Sequence, residues 1–396
     1  MKNISNISLS GKRVLIRVDF NVPLDEYFKI TDDSRIQAAL PTIKKVLADG
    51  GKAIIMSHLG RPKNGFEERF SLKHTVKHLS DLLATPVSFS SDCVGENTIA
   101  DVENMENGDV LVLENLRFYK EEKAGDIGFA KQLANLGDVY VNDAFGTAHR
   151  AHASTAIIAD YFPDNKYFGL LLSNEISSLE KALDNPERPF TAIIGGAKIT
   201  GKIDVITSLF DKVDNLIIGG GMAYTFAKAM GGSIGNSLVE NEKVALAKTL
   251  ITDAKEKGVQ LLLPSDSVNA DDFNNDADIQ SSAITNVQNG FMGLDIGSES
   301  IAHFSNAILD SKTIIWNGPM GVFEMKNFAN GTKKIGEAIC EATKNGAFSL
   351  VGGGDSVAAV KQFGFADKVS YISTGGGAML EYLEGKELPG VVAIQD

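Results

Sequence analysis

The sequence has few cysteines, a deficit of basic residues and no long apolar run, and each shortage excludes a class of protein. Cys93 and Cys340 are its two cysteines in 396 residues, too few for a disulfide-rich secreted scaffold or a cysteine-based metal site. Lysine and arginine number 38 against 51 acidic residues, a net charge of −13. We therefore expect no nucleic-acid partner and no anionic-membrane partner. No run approaches the roughly 18 apolar residues of a spanning helix.

The first twenty residues also lack the apolar core of a signal peptide. Together with the scarcity of cysteine, this predicts a protein of the reducing cytoplasm. What the chain does have is glycine, at 39 of 396 residues, or about 10% against a usual value of roughly 7%. At roughly 150 residues per domain, the length predicts two or three domains.

Short apolar, β-branched runs alternate with helix-like segments along the whole chain, which is typical of βα units and parallel sheets. In the first half strands are predicted at 14–18, 53–56, 110–113 and 139–141. In the second half they are predicted at 192–194, 216–218, 260–263, 313–316, 349–351 and 369–372. The predicted fold class is α/β, with two doubly wound domains of largely parallel sheets, joined by a connecting helix and facing across a cleft.

A boundary between the domains is indicated where Ile176, Leu179 and Leu183 recur at helical spacing before two prolines, Pro186 and Pro189. The expected organisation is a first domain over 1–173, a connecting helix and linker over 174–187, a second domain over 188–384, and a C-terminal tail over 385–396 that docks back on the first domain. The Asp/Asn-rich stretch 269–278 lacks the glycine and glutamate of a calcium loop, so a solvated loop is predicted there.

The strand ends matter most for function, because ligands of doubly wound sheets bind beyond them. In the second half these ends carry glycine at 195–196, 219–221, 352–354 and 375–377. A glycine turn that opens a helix lets backbone N–H groups approach a phosphate. One such turn could serve packing alone, but four in one domain predict a nucleotide or polyphosphate site. Tyr224 stands where a dinucleotide fingerprint needs its third glycine, which argues against a dehydrogenase.

A near-match to a P-loop runs from Gly196 to Ile203, but Ile203 lacks the hydroxyl that would bind Mg²⁺. Lys198 and Lys202 could flank one phosphate chain if a helix starts near Thr200; the alternative is two solvated lysines. Asp355 follows a glycine triplet and is the natural Mg²⁺ carboxylate, although a helix N-cap would also explain it.

In the first half the strand ends carry charged and polar groups instead: Asp19, Asn21, His58, Arg61, Arg117 and Arg150, with Arg35 close by in the sequence. The planar guanidinium matches phosphate and carboxylate oxygens, so this cluster predicts a small, multiply anionic metabolite. Each arginine alone could equally make a surface ion pair. No zinc motif and no activated serine or cysteine motif is present. The two halves together indicate a small-molecule kinase.

An ordered series of motifs over nearly the whole chain closely resembles the phosphoglycerate kinase family. The motifs are RVDFNVP (17–23), SHLGRP (57–62), LENLRF (113–118), NDAFGTAHRAHAS (142–154), GGAK…K (195–202), GGGMAYTF (219–226), FMGLDIG (291–297), WNGPMGVFE (316–324), GGGDS (352–356) and STGGGAMLEYLEGK (373–386).

The resemblance implies a 3-phosphoglycerate site in the first domain. Asp19 and Asn21 are expected at its hydroxyl and carboxylate end. Arg35 is expected to contact the reacting carboxyl and the phosphoryl group during its transfer. The phosphate is expected on His58, Arg61, Arg117 and Arg150, with Leu59 and Gly60 in the same site.

The resemblance likewise implies an ATP site in the second domain. Lys198, Lys202 and the helix opened by Gly375 and Gly376 are expected at the transferred group, Asp355 at Mg²⁺, Ser356 at the phosphate chain and Glu324 at the ribose. The remaining nucleotide contacts implied are Gly196, Ala197, Gly219, Gly220, Gly293, Asn317, Pro319, Gly353 and Gly354.

The expected function is glycolytic, reversible phosphoryl transfer between ATP and the carboxylate of 3-phosphoglycerate, with Mg²⁺, hinge closure and no general base, by a monomer. The alternative is a non-catalytic protein that binds phosphometabolites or nucleotides on the same fold. Four positions depart from the family pattern: Gly201, Ser298, Ser356 and Met379. Ser356 keeps a hydroxyl. Gly201 and Met379 could change rates or helix stability at the phosphate site but remove no charged or metal-binding group, so activity is the better expectation.

Overall fold

The computed structural model describes residues 1–63 and 65–395, which divide into two compact units. The first unit contains Met1–Ser177 and the C-terminal segment from Glu387 onward, and the second contains Ser178–Lys386. Both are α/β, as the alternation of strand and helix signals predicted. None of the described helices is long and apolar enough to cross a bilayer.

The first unit is built on one parallel sheet in the order β3-β4-β2-β1-β5-β6. Its strands are β1 Arg13–Arg17, β2 Lys52–Met56, β3 Val87–Phe89, β4 Val110–Val112, β5 Val139–Asn142 and β6 Lys166–Phe168. Its helices are α1 Ser34–Ala48, α2 Lys73–Leu83, α3 Glu96–Glu103, α4 Lys120–Ala124 and α5 Ile127–Ala134. The central strands are buried almost throughout, which explains their continuous apolar runs.

Helix α6, Leu170–Leu183, leads from the first unit into the second. It ends at Leu183 as the following prolines predicted, but it begins four residues before the predicted Asn174. Its first turn is capped by neighbours distant in sequence: Thr42 Oγ1 accepts from Leu170 N–H at 2.8 Å, and Asp143 Oδ1 accepts from Leu172 N–H at 3.1 Å. These long-range caps leave no signal in the local sequence.

The second unit has a parallel sheet in the order β10-β8-β7-β15-β16-β17 and two small sheets, β12-β11-β14 and β13-β9. Its strands are β7 Phe190–Ile194, β8 Asn215–Ile218, β9 Ser233–Ile234, β10 Gln260–Leu262, β11 Asp266–Ala270, β12 Ile279–Ala283, β13 Asn286–Val287, β14 Met292–Ile296, β15 Thr313–Asn317, β16 Phe348–Val351 and β17 Tyr371–Ile372. Its helices are α7 Ile203–Leu209, α8 Ala223–Ala229, α9 Val244–Glu256, α10 Ser298–Leu309, α11 Asn330–Lys344, α12 Gly354–Gln362 and α13 Gly377–Leu383.

Helix α11 illustrates how the second unit buries its core. Thr332, Ile335, Ile339 and Ala342 recur at helical spacing and are buried, and the three apolar ones belong to the core cluster that contains the fully buried Trp316 of β15. Burying such a stripe removes about 25 cal/mol of unfavourable hydration per Å² of apolar surface.

Three local expectations need correction. The helix expected near Thr200 begins at Ile203, and Lys202 is its N-cap. The strand predicted over 369–372 contains only Tyr371 and Ile372, because Ser370 and Ser349 exchange backbone-to-hydroxyl hydrogen bonds in place of the ladder. Of the loop predicted over 269–278, the first two residues belong to β11, and only the rest is a loop.

A C-terminal helix and seven short 3₁₀ helices complete the described chain. Helix α14, Pro389–Gln395, packs within the first unit, where Gly390 N–H donates to Ala148 O at 2.8 Å and Asn142 Nδ2 donates to Gly390 O at 3.2 Å. Short 3₁₀ helices occupy Ile4–Asn6, Glu68–Phe70, Leu116–Phe118, Phe145–Thr147, Ile157–Tyr161, Asn241–Lys243 and Lys326–Phe328.

Candidate active site

In the first unit, the polar residues that follow β1, β2 and β4 contact one another beyond the strand ends. Strand β1 lies at the switch point of the sheet, because the chain passes from β1 to β2 on one side and later crosses from β4 to β5 on the other. Asn21 Oδ1 accepts from Gly60 N–H at 2.8 Å, and Arg117 Nη1 donates to Gly60 O at 2.9 Å. Arg35, in the first turn of α1, donates from Nη1 to Asp19 Oδ2 at 3.0 Å.

The loop after β2 is held in one conformation by Asn115. Its Nδ2 donates to Leu59 O at 2.7 Å and to Phe70 O at 2.8 Å, while its Oδ1 caps Arg117 N–H at 2.9 Å. Gly60 has a φ of +64°, and a Cβ there would overlap the Phe70 ring. Only glycine therefore fits at this point, where the backbone passes between Asn21 and Arg117.

The cations of this group act on one another electrostatically. Burial, followed by repulsion from Arg17, lowers the pKa of Arg117 to about 10. Burial and the same arginines lower the pKa of His152 to about 4 and hold that of His58 well below its usual range. Both imidazoles are therefore neutral near pH 7, so the positive charge of the site comes from arginine.

Arg61 and Arg150 lie at the exposed edge of the first unit's loops. Arg150 contributes to the field at Arg117, and its Nε lies 3.1 Å from His149 Nε2. Exposed arginines keep their fork available to an incoming anion, whereas the half-buried Arg117 is already oriented by Gly60.

In the second unit, a cavity of about 500 Å³ lies beyond the ends of β7, β8 and β15. Apolar side chains such as Leu238, Met292 and Val322 line it. The predicted nucleotide residues on its wall are Gly196, Ala197, Gly220, Gly293, Pro319, Glu324 and Asp355. Its volume and apolar lining are typical of a small-molecule site.

Glycine is required where these loops approach each other. Gly220 has a φ of +70°, and a Cβ on it would lie 2.5 Å from Gly196 N. At the other side of the cavity, a Cβ on Gly293 would overlap the Tyr224 hydroxyl. Tyr224 therefore packs against Gly293 at the wall of the cavity. The sequence around Tyr224, which does not match a dinucleotide fingerprint, did not indicate this role.

Lys198 and Lys202 lie on the loop between β7 and α7 in different environments. Lys198 is exposed. Lys202 is partly buried and donates to Asn317 Oδ1; burial lowers its pKa, and the charge of Asp355 opposes that shift. Lys202 therefore lies within the electrostatic field of the carboxylate proposed from sequence as the metal ligand.

The conformation of this lysine loop depends on Glu240, which sequence reasoning missed. Glu240 Oε2 accepts from Ile199 N–H at 2.5 Å and from Thr200 N–H at 3.2 Å, and its Oε1 accepts from Thr200 Oγ1 at 2.5 Å. A glutamate forty residues away in a polar segment carries no local signal for such a contact.

The remaining predicted residues form the turns around β15, β16 and α13. Ser356 is buried, and its hydroxyl accepts from Gly318 N–H at 2.5 Å, which ties α12 to the turn after Asn317. Gly353 is the N-cap of α12, with a φ of +90°, and Asp355 lies exposed in its first turn. Gly219 follows β8 beside Met320, Gly354 begins α12, and Gly375 and Gly376 precede α13, with Gly376 as N-cap.

The departures from the family pattern have different surroundings. Gly201 is exposed, with no atom within 4 Å of an added Cβ. Ser298 is the first residue of α10. Met379 is fully buried, and its sulfur packs against Gly352.

Comparison with known proteins gives one family. The family model for phosphoglycerate kinase matches residues 4–386. A phosphoglycerate kinase of Porphyromonas gingivalis is 54% identical, with 99% of both chains covered, and one of Chlorobaculum tepidum is 53% identical over 100% of this chain and 99% of that protein.

Solved structures agree. A phosphoglycerate kinase from Coxiella burnetii superposes with a TM-score of 0.90 at 43% identity, covering 99% of this chain and 98% of that one. One from Pyrococcus horikoshii superposes with a TM-score of 0.86 at 29% identity, covering 100% and 98%. With a matching family model over nearly its full length and relatives above half identity, the chain belongs to the phosphoglycerate kinase family.

Proposed function

We propose that the protein catalyses the glycolytic, reversible transfer of the γ-phosphoryl group of ATP to the carboxylate of 3-phosphoglycerate. The observation that carries the proposal is the difference in chemistry between the two sets of strand ends. One unit presents arginines and small polar groups, and the other presents glycine turns around an apolar cavity with carboxylates on its wall. An anionic metabolite suits the first, and a nucleotide suits the second.

In this proposal the first unit binds the acid substrate. Asp19 and Asn21 receive its hydroxyl and carboxylate end, and Arg61, Arg117 and Arg150 receive its phosphate. Neutral His58 serves as a hydrogen-bond donor, and Leu59 and Gly60 shape the same pocket. Arg35, anchored at one nitrogen by Asp19, contacts the carboxyl as it reacts.

The nucleotide occupies the cavity of the second unit, with its base against the apolar wall near Gly293 and its ribose on Glu324. Lys198 and Lys202 contact the phosphate chain, as do the turns at Gly353, Gly354 and Ser356. The transferred phosphoryl faces Gly375 and Gly376. Asn317, already bound to Lys202, lies at the same end of the chain of phosphates.

Magnesium fits the residues present. Among residues 1–63 and 65–395 no group of three or more acidic, histidine or cysteine side chains is arranged to hold a metal alone. Mg²⁺ typically needs only one or two carboxylates together with substrate phosphates, and the exposed Asp355 on the cavity wall satisfies that need. When bound, Mg²⁺ would neutralise charge on the phosphates.

The transfer needs no general base. One oxygen of the substrate carboxylate forms the new bond to phosphorus in line with the bond that breaks to ADP, and a carboxylate is already ionised near neutral pH. Catalysis then rests on alignment and on positive charge around the moving group. We further propose that hinge closure expels water during the transfer, and that the enzyme is a cytoplasmic monomer.

One assay tests the proposal: ADP release from Mg-ATP, with and without 3-phosphoglycerate and with and without a chelator. We expect ADP only when the acid and Mg²⁺ are both present. Lys198→Ala should remove most turnover while 3-phosphoglycerate binding persists, and Lys248→Ala, on the exposed face of α9, serves as the matched control. Binding of both ligands without ADP release would favour the non-catalytic alternative.

A further inference from the structure

A chain of buried polar side chains runs from Glu122 to His58 within the first unit. Ser154 Oγ donates to Glu122 Oε1 at 2.6 Å, and Arg17 Nε donates to Ser154 Oγ at 2.9 Å. Arg17 Nη2 then lies 3.4 Å from His58 Nδ1. Arg17 and Glu122 are each 1% exposed and His58 is 3% exposed, so water does not compete for these contacts.

The direction of this chain follows from what each group can do. A carboxylate only accepts, and a guanidinium only donates. The single hydroxyl proton of Ser154 is committed to Glu122, so its oxygen receives the Arg17 Nε–H. Ser154 N–H also donates to Glu122 Oε2 at 3.0 Å. The carboxylate therefore fixes Ser154 and, through it, the orientation of Arg17.

At the other end of this chain of side chains, His58 Nδ1 faces the guanidinium of Arg17, which can only donate. Nδ1 must therefore present its lone pair. We infer that Arg17 is a positioning residue that holds His58 as the neutral Nε2–H tautomer, so that His58 offers the bound anion one hydrogen-bond donor and no charge. The inference deepens the proposed function and rests on it for the identity of the anion.

The competing arrangement would place the proton on Nδ1, facing Asp19. Asp19 Oδ1 is 3.8 Å from His58 Nδ1, too far for a hydrogen bond. Asp19 is also engaged through Oδ2 by Arg35. The closer and charged neighbour of Nδ1 is Arg17.

An imidazolium is disfavoured by every cation around the ring. Burial first, and then the charges of Arg17, Arg117 and Arg35, keep the pKa of His58 low. Asp19 is the acidic group near the ring, but its distance from Nδ1 weakens the attraction that would offset the repulsion from these cations. The consequence is a histidine that does not titrate near neutral pH and acts as a fixed donor, much as an amide side chain would.

The tautomer is measurable without turnover, by long-range ¹H–¹⁵N correlation on full-length, ligand-free protein labelled with ¹⁵N-histidine at about pH 7. His58→Gln assigns the His58 signals among the six histidines. We expect one protonated nitrogen, Nε2, and an unprotonated Nδ1. A protonated Nδ1, an imidazolium or an averaged mixture would overturn the inference.

Arg17→Leu tests the cause, and should convert His58 to a tautomer mixture and raise the KM for 3-phosphoglycerate about tenfold, with a smaller change in kcat. If that variant does not fold, Ser154→Ala removes the hydroxyl that orients Arg17 and should give the same change in smaller degree. Arg13→Leu is the control, since Arg13 lies on the same strand but pairs with Asp138 at 2.7 Å. An unchanged tautomer in folded Arg17→Leu or Ser154→Ala would remove Arg17 from this role.

The two hypotheses can fail separately. ADP release by a wild-type protein whose His58 is protonated at Nδ1 would refute the positioning role and leave the proposed function intact. An Nε2–H tautomer in a protein that releases no ADP would refute the proposed function and leave the tautomer assignment intact.

Discussion

Arg35 Nη1 lies 3.0 Å from Asp19 Oδ2. The loop that follows β1 therefore holds the guanidinium of a residue in the first turn of α1. A second contact from the same nitrogen reaches Asn21 O at 3.1 Å. The Arg35 side chain remains 39% exposed. An anchored but accessible arginine is suited to a group that arrives only during reaction, whereas Arg117 is already bound to Gly60.

We therefore expect Arg35→Ala to lower kcat by roughly a hundredfold with a small change in KM, because its contact is made as charge moves. Arg61→Ala and Arg117→Ala should instead raise the KM for 3-phosphoglycerate by roughly tenfold, because they bind the ground state. Steady-state kinetics of the three variants decides this. The same pattern in all three would contradict the separation of roles.

Glu240→Ala should weaken ATP binding and turnover by roughly ten- to a hundredfold, because a loop freed from its three hydrogen bonds no longer aligns Lys198 and Lys202. Glu240→Gln can still accept one N–H, so its ATP binding and turnover should lie between those of the wild type and those of Glu240→Ala. Kinetics at varied ATP measures the effect. Glu242→Ala, an exposed neighbour, is the control, and an equal loss there would remove Glu240 from the argument.

Asp143 predicts a pH dependence of stability. Burial raises its pKa to about 7, so the folded protein retains a proton that the unfolded chain releases near pH 4. Its contribution to the unfolding free energy is therefore complete at low pH and is lost as the pH rises towards 7, by at most about 1.4 kcal/mol per pH unit. Urea unfolding from about pH 5 to 8 should show this component in the wild type and lose it in Asp143→Asn. If the unfolding free energies of the wild type and Asp143→Asn changed in parallel with pH, that result would contradict the raised pKa of Asp143.

Gly201→Ala should raise the unfolding free energy by about 0.4–1 kcal/mol and leave kcat within about twofold. The position is open and its φ is ordinary, so alanine restricts mainly the unfolded chain. Gly220→Ala is the contrasting control and should destabilise, since its backbone is left-handed and a Cβ would meet Gly196. Thermal unfolding of both variants measures the difference; destabilisation by Gly201→Ala would show that this glycine has a conformational role.

Closure should appear in solution scattering. If water must leave the reacting group, 3-phosphoglycerate and a non-reactive ATP analogue together should shift the protein to a compact form more than either ligand alone. The radius of gyration of the apo, singly liganded and doubly liganded protein measures this. A doubly liganded protein no more compact than the apo form would refute the hinge mechanism.

Most of the large sheets could be predicted from sequence because their central strands are buried on both faces, as in the apolar run of Val14, Leu15 and Ile16. The three-residue strands β3 and β6 were missed because Val87–Phe89 and Lys166–Phe168 are too short to show a period. The β11, β12 and β14 sheet was missed for a related reason: two of its strands, β11 and β12, are rich in polar residues and resemble loop sequence.

The candidate site divides along the same physical line. Glycines and arginines at strand ends are visible in sequence, because backbone approach and anion binding need those residue types locally. The sequence does not reveal the buried chain of Arg17, Ser154 and Glu122. These residues come from a strand, a loop and a five-residue helix, and their hydrogen bonds exist only after folding. The roles assigned to the visible residues stay predictions until the kinetics above are measured.

The docking of α14 has a consequence for biosynthesis. A ribosome releases the chain from its N-terminus, so residues 1–177 emerge long before the helix that Asn142 and Ala148 hold through Gly390. The whole of Ser178–Lys386 is translated in between. The first unit therefore emerges with its α14 surface uncovered, the second unit can fold as a continuous segment, and residues translated after Lys386 complete the domain that was started first.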